Sequence, residues 1–94
     1  MRVNIRFFTT LREITGKREE TADLTDSATV EDLLRFLSTK YGERFANYLC
    51  NEKTGVHSYL QILVNGKSIT TLQDLKTELR DGDTLAIIPP VGGG

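Results

Sequence analysis

The fold of this chain is decided by residues 29–42, TVEDLLRFLSTKYG. The apolar side chains of this stretch recur at helical spacing and share one face, and they are Val30, Leu33, Leu34, Leu37 and Tyr41. Thr29 is a good N-cap, and Asp32 three residues later completes a capping-box pattern. Gly42 is a typical helix terminator. The stretch therefore predicts one amphipathic helix that must bury its apolar face against another element.

Strands are predicted on both sides of this helix by alternating polarity and by turn signals. They cover residues 3–7, 19–24, 59–64, 67–70 and 84–88. Asn65-Gly66 is the strongest hairpin signal, because both residues tolerate a positive φ. The intervening stretches predict a polar loop over 9–18, a further helical turn over 43–49 and a short helical segment over 72–79. This order predicts an α+β roll, a mixed sheet with one main helix packed across it.

Length and composition describe one small domain. With 94 residues, 38% hydrophobic and 27% charged, the chain has room for a single core. We expect a folded domain over 1–88 and a flexible tail over 89–94. The net charge of -1 argues against nucleic acid and against an anionic membrane as partners. The single cysteine, the lack of a signal-peptide pattern and the absence of a long apolar run predict a cytoplasmic protein.

Internal side chains offer little chemistry. Cys50 and His57 are a formal nucleophile–base pair, but a semi-buried small hydrophobe and a solvated histidine explain them better. Two such ligands without clustered partners do not build a metal site. Glu19-Glu20 and Asp81/Asp83 could be paired acids, but solvated loop charges and turn formers explain them more simply. The sequence therefore predicts a protein that is not an enzyme and that binds no cofactor or metal.

Three apolar residues have the parity opposite to the core positions of their strands: Phe8, Leu63 and Ile88. If their strands are neighbours, they form an exposed apolar strip, which usually indicates a protein partner. The alternative is that residues 9–18 or 43–58 fold back and cover them.

The last strand leads directly into Pro89, Pro90, Val91, Gly92, Gly93 and Gly94. The prolines end sheet pairing, since proline donates no N–H. Gly94 has no side chain and is predicted to carry the terminal carboxylate. Such an ending suits a group threaded into another protein's channel, and it also suits a frayed end.

Several motifs together resemble the MoaD family. They are Phe7-Phe8-x-x-x-Arg12-Glu13-x-x-Gly16, the helix start at Thr29-Val30, Val64-Asn65-Gly66, Asp81-Gly82-Asp83 and the ending Ile88-Pro89-Pro90-Val91-Gly92-Gly93-Gly94. The resemblance spans essentially the whole chain and is most specific at Pro-Pro-Val with its terminal diglycine. Gly92 stands where bacterial members often have Thr or Ala, and the long segment 41–59 resembles the archaeal-type branch.

MoaD proteins are ubiquitin-like sulfur carriers, so the resemblance implies a β-grasp fold and a reacting carboxylate at Gly94, preceded by Gly93. A MoeB-type, ubiquitin-activating-like adenylyltransferase would spend ATP to adenylate that carboxylate, and a persulfide donor would convert it to a thiocarboxylate. The implied second partner is a MoaE-like large subunit of molybdopterin synthase. Phe8 and Ile88 match positions that pack on it, and we extend the predicted contact surface to Leu63 and to Pro89, Pro90, Val91 and Gly92.

Other functions remain open at this point. The chain is alternatively a ubiquitin-like modifier that is joined through Gly94 to lysines of target proteins. The thiamine-pathway carrier ThiS is a weaker match, because those chains are usually shorter and lack Pro-Pro-Val. A plain β-grasp interaction module with an inert tail is the fourth reading. The sequence does not decide between molybdenum and tungsten.

Overall fold

The computed structural model describes residues 1–51, 55–57 and 59–89. Within them, five strands form one mixed sheet in the order β2-β1-β7-β5-β6. Their bounds are β1 Arg2–Phe7, β2 Glu19–Asp23, β5 Gln61–Val64, β6 Lys67–Ser68 and β7 Thr84–Ile88. A separate two-stranded ladder joins β3 Cys50–Asn51 to β4 Gly55–Val56. The predicted α+β roll is confirmed.

The central pair of the sheet is parallel. β1 runs alongside β7 in the register Ile5↔Leu85 and Phe7↔Ile87, while β2 and β5 flank this pair in antiparallel pairing. Val3, Ile5 and Phe7 are fully buried, which confirms the face that the alternation predicted. The last strand is therefore a central strand with a neighbour on each side.

The main helix α2, Val30–Tyr41, covers the inner face of the sheet and ends before Gly42, as the sequence predicted. Its capping box is complete: the Asp32 backbone N–H donates to the Thr29 hydroxyl, and the Thr29 backbone N–H donates to the Asp32 carboxylate. The bond from the Thr29 backbone is the main reason that the pKa of Asp32 lies below its usual value. Val30, Leu33, Leu34 and Leu37 are buried beneath the helix.

Two further helices pack on the same side as α2. The stretch predicted as a polar loop contains α1, Thr10–Thr15, which buries Leu11 and ends at Gly16 with φ at 75°. That prediction was wrong over these six residues, because too few apolar positions occur there to show a helical period. Helix α3, Glu43–Leu49, is the expected further helical segment and buries Phe45.

The return strand after the hairpin is shorter than predicted. Asn65 and Gly66 both have positive φ, at 51° and 85°, as the hairpin turn requires. Strand β6 stops at Ser68, and a short 3-10 helix, Ile69–Thr71, follows because its buried Ile69 turns into the core. The helical segment expected over 72–79 is a second 3-10 turn, Asp74–Lys76.

One carboxylate is buried at the edge of the sheet. The Glu20 side chain on β2 is 4% exposed and accepts hydrogen bonds from the Lys40 ammonium and the Tyr41 hydroxyl. Burial raises its pKa, but the bonds from Lys40 and Tyr41 and the charge of Lys17 outweigh burial, so the pKa lies below its usual value. Burial and the same hydrogen bond raise the pKa of Tyr41, which stays a donor.

None of the helices in the described part of the chain is long and apolar enough to span a membrane.

Candidate functional site: the open sheet face and the chain end

The outer face of the sheet carries an apolar strip formed by Phe8, Leu63, Ala86 and Ile88. Leu63 on β5 lies opposite Ala86 on β7, and Ile88 lies one step further along β7. The pair Phe7↔Ile87 places Phe8 beside Ile88. All four side chains are partly exposed. The structure thus brings together the three residues singled out in the sequence.

Ala86 is the member of the strip that sequence reasoning missed. It has the same parity as Ile88 on β7 and lies between Leu63 and Arg6 in the sheet. The small side chain of Ala86 was not counted as apolar surface. Because residues two apart on a strand share a face, its position two residues before Ile88 could have identified it.

Apart from Arg12, which contacts Phe8, the described parts of residues 9–18 and 43–58 pack away from the strip, and its members stay partly exposed. Leu11 of α1 is in the core, and Phe45 of α3 packs edge-on against Phe7 with the ring centres 6.2 Å apart. Phe45 also stacks on Tyr41 of α2 at 5.7 Å. Both segments therefore contribute to the inner layer, opposite to the strip.

Two guanidinium groups flank Phe8 at one end of the strip. The Cζ atoms of Arg6 and Arg12 lie 5.7 Å and 5.5 Å from the centre of the Phe8 ring, within cation–π range. The Nε atom of Arg12 also donates a hydrogen bond of 3.0 Å to the carbonyl oxygen of Phe7. Since Arg6 points outward from β1, its contact shows that the Phe8 ring also faces the outer side.

The chain end leaves the sheet beside this strip. Ile88 is paired with Gln61, and Pro89 follows it, partly buried. The predicted contact residues Pro90, Val91 and Gly92 and the predicted reacting residues Gly93 and Gly94 lie outside the described residues. Because β7 is central, a protein that covers the outer face would also meet the root of this tail.

The candidate nucleophile does not resemble an activated thiol. Burial raises the pKa of the Cys50 thiol, whereas a nucleophilic cysteine needs a lowered value. His57 stacks on Tyr59 with ring centres 4.9 Å apart, and its Nε2 lies 3.3 Å from the carbonyl oxygen of Asn47. Both contacts fit a structural role for the imidazole.

Asp81 and Asp83, which were considered as paired acids, also have structural partners. Asp81 accepts a hydrogen bond from the Arg2 backbone, and Asp83 accepts bonds from the Asn65 side chain and the Arg80 backbone. No group of three or more metal-ligating side chains occurs among the residues that the structure describes. A cavity of about 550 Å³ between β4, β5 and the 3-10 turns has Leu60, Ile62 and Ile69 in its wall and includes none of the strip residues.

The chain is similar over its full length to known small proteins. Small archaeal modifier protein 3 of Haloferax volcanii is 37% identical over the full length of both chains. The molybdopterin synthase sulfur carrier subunit of Chlamydomonas reinhardtii is 33% identical, again over the whole of both chains. The crystal structure of small archaeal modifier protein 1 of Haloferax volcanii superimposes with a TM-score of 0.84, at 26% identity and full coverage of both chains.

These neighbours confirm the ubiquitin-like β-grasp fold that the resemblance implied. The ThiS family model matches residues 5–94, which include the strip, the arginines and the whole of the tail. The chain belongs to the ThiS family, the ThiS/MoaD group of sulfur carriers.

Proposed function

We propose that this chain is the small subunit of a molybdopterin synthase and carries a thiocarboxylate on Gly94 for molybdenum or tungsten cofactor biosynthesis in the cytoplasm. The observation that carries the proposal is the position of β7. This central strand contributes Ala86 and Ile88 to the apolar strip and runs directly into the tail. A partner that grips the strip would therefore hold the start of the segment whose end reacts.

The tail suits transfer of sulfur between separate proteins. The five residues beyond Pro89 reach about 17 Å when extended. The two prolines stiffen its base, which lowers the entropy lost on insertion. The three glycines have no side chains to obstruct a narrow channel, so an attacking group can approach the terminal carbonyl.

The chemistry needs partner enzymes, since this chain supplies the reacting carboxylate and the residues that the structure describes form no cluster of catalytic side chains. A MoeB-type adenylyltransferase joins the Gly94 carboxylate to AMP and releases pyrophosphate from ATP. The outer sulfur of a persulfide then displaces AMP, and a thiol cleaves the resulting acyl disulfide to leave the thiocarboxylate. A MoaE-like large subunit receives the tail and passes the sulfur on.

Intact mass spectrometry tests this proposal. The purified chain is incubated with its adenylyltransferase, ATP and a persulfide donor, and its mass is compared with that of a reaction without ATP. We expect a gain equal to one oxygen replaced by one sulfur. An unchanged mass, with an adenylyltransferase shown to be active on another carrier, would refute the carrier function.

Deletion of Gly94 is the matched control for the reacting end. We expect the shortened chain to lose thiocarboxylate formation and to keep its melting temperature, because glycine has no side chain that could be buried in the core. A large loss of stability would show that the tail packs on the domain.

Conjugation to proteins is the second candidate function, favoured by the similarity to small archaeal modifier protein 3. In that case the Gly94 acyl group is transferred from AMP to the amine of a lysine. Trypsin cuts after Arg80, the last basic residue, so a modified lysine would carry residues 81–94 rather than a diglycine. A search of cellular peptides for this long remnant distinguishes the two functions.

A further inference from the structure

Arg6 and Arg12 are not explained by an apolar strip alone. Both guanidinium groups lie within 6 Å of one aromatic ring, at 5.7 Å and 5.5 Å from the centre of Phe8. Two like charges that share one ring repel each other, while an exposed cation–π contact is weak. The arrangement becomes favourable once an anion is placed between or beside the two groups.

The same two strands provide a comparison for Arg6. Arg2 lies opposite Asp23, and its Nε is 3.5 Å from the Asp23 carboxylate. Arg6 lies opposite Glu19 in the same ladder, on the same face. Within the described residues, however, no carboxylate lies within ion-pair distance of Arg6, and its guanidinium lies over Phe8 instead. Among the residues that the structure describes, Arg6 therefore has no ion-pair partner, whereas Arg2 in the same ladder is paired with Asp23.

Arg12 is held in place and keeps donors to spare. Its Nε is used by the carbonyl oxygen of Phe7, which fixes the guanidinium beside the ring. Its two terminal nitrogens form no ion pair with a carboxylate among the described residues, and a fixed guanidinium suits a carboxylate that accepts two hydrogen bonds.

Docking on the strip would remove water from both arginines, because Phe8 lies beside Ile88 at the root of the tail. A desolvated charge without a counter-charge is costly. A partner that covers Phe8 therefore has to supply anionic groups at this end of the strip.

We propose that Arg6 and Arg12 pair with carboxylates on the large subunit that receives the tail. The docking surface of the large subunit would combine apolar side chains that contact the strip with aspartate or glutamate side chains beside Phe8. This inference rests on the proposed function and identifies the charged part of the same interface. Because charged pairs reject unsuitable partners, the two arginines would also help to select the large subunit.

The first test measures the dissociation constant between this chain and the large subunit from the same genome at several salt concentrations. We expect the double variant Arg6→Gln/Arg12→Gln to bind about tenfold or more weakly. The affinity should also depend less on salt. Arg35→Gln is the matched control, since Arg35 already pairs with Glu31 and Asp32 on α2.

The second test identifies the carboxylates directly. Arg12→Lys places an amine beside Phe8, and a carbodiimide joins an amine to a carboxylate only when the two are in contact. We expect a cross-link from position 12 to an aspartate or glutamate of the large subunit, mapped by mass spectrometry. Arg35→Lys should give no such product.

The outcomes separate this inference from the function on which it rests. If Phe8→Asp weakens the complex while the double arginine variant keeps the affinity and salt dependence of the wild type, the carboxylate pairing is wrong and the docking face stands. If the arginine variants reduce only the adenylation of Gly94 and bind the large subunit as the wild type does, the pairing with the large subunit is likewise wrong. If Phe8→Asp has no effect on binding, the docking face itself is wrong. Melting temperatures of all variants exclude unfolding as the cause.

Discussion

Phe7 and Phe8 are neighbours in the sequence and lie on opposite faces of the sheet. Phe7 is fully buried, with its ring edge-on to the rings of Tyr41 and Phe45 at 6.2 Å each. Phe8 is partly exposed, and the guanidinium groups of Arg6 and Arg12 both lie near its ring. One step along an extended strand thus separates a residue of the core from a residue of the candidate docking face.

The difference shows how a small domain assigns stability and recognition to different surfaces. The inner face is covered by α1, α2 and α3, and its apolar residues contact one another in a single cluster. The outer face keeps an apolar strip partly exposed to water, which a partner would cover. Substitutions on the two faces should therefore affect different measurements.

The largest effect is expected for Phe7→Ala. Removing this ring leaves a cavity beside Tyr41 and Phe45, and the loss should be about 3–5 kcal/mol in the free energy of unfolding. That is a large share of the roughly 5–15 kcal/mol of a typical domain. Urea unfolding followed by circular dichroism measures it. Phe8→Ala is the paired control. An equal loss of unfolding free energy in Phe8→Ala would show that the outer face contributes as much to stability as the inner face.

The next effect is expected for Phe8→Asp, in binding rather than in folding. A carboxylate in place of the Phe8 ring, within the apolar strip, should cost about 2 kcal/mol or more in binding to the large subunit. Titration calorimetry measures the affinity, and the melting temperature should stay close to that of the wild type. A domain that unfolds on this substitution would show that the Phe8 ring contributes to the core.

Sequence reasoning succeeded where side-chain spacing is regular and failed where the chain is irregular. The helix at Val30–Tyr41 and the strand at Arg2–Phe7 have clear periods and clear ends. Helix α1 has one buried residue, Leu11, in six positions, so no period was visible. The short β6 depends on Ile69 turning inward, which is a tertiary contact that no local pattern encodes.

The candidate site was likewise predictable where it depends on local spacing, and not where it depends on tertiary contacts. Strand parity placed Phe8, Leu63 and Ile88 on one face, because alternation along a strand is a local property. The joining of these residues into one strip required the strand order, which places β7 between β1 and β5. The contact of Arg12 with Phe8 depends on the turn into α1, so the placement of two arginines around one ring was not derivable from the sequence.

The substitution Glu20→Gln tests how much the edge of the covered inner face contributes to stability. Glu20 lies on the edge strand with the parity of the inner face, where the cover of α2 ends at Lys40 and Tyr41. Because the folded pKa of Glu20 is lowered, the ionised carboxylate stabilises the fold above its unfolded pKa, near 4.5. This stabilisation is lost as the pH falls through the folded value.

We therefore expect Glu20→Gln to be less stable than the wild type at neutral pH and to lose less stability in acid. The gap between the two unfolding free energies should narrow as the pH falls below about 4.5. Urea unfolding at a series of pH values measures this gap, and Glu19→Gln is the matched control on the exposed side of the same strand. A gap that stays constant with pH would mean that the ionised carboxylate contributes nothing.

The smallest effect is expected for Thr29→Ala, at the start of the helix that covers the inner face. The Thr29 hydroxyl accepts a hydrogen bond from the backbone N–H of Asp32 at 3.2 Å, which would otherwise lack a partner within the helix. Its loss should cost about 1 kcal/mol in the free energy of unfolding and leave binding to the large subunit unchanged. Thr29→Ser keeps the hydroxyl and should recover most of the stability, as urea unfolding would measure. A loss of affinity in folded Thr29→Ala would show that the covered face communicates with the docking face, and the two surfaces would then not be independent.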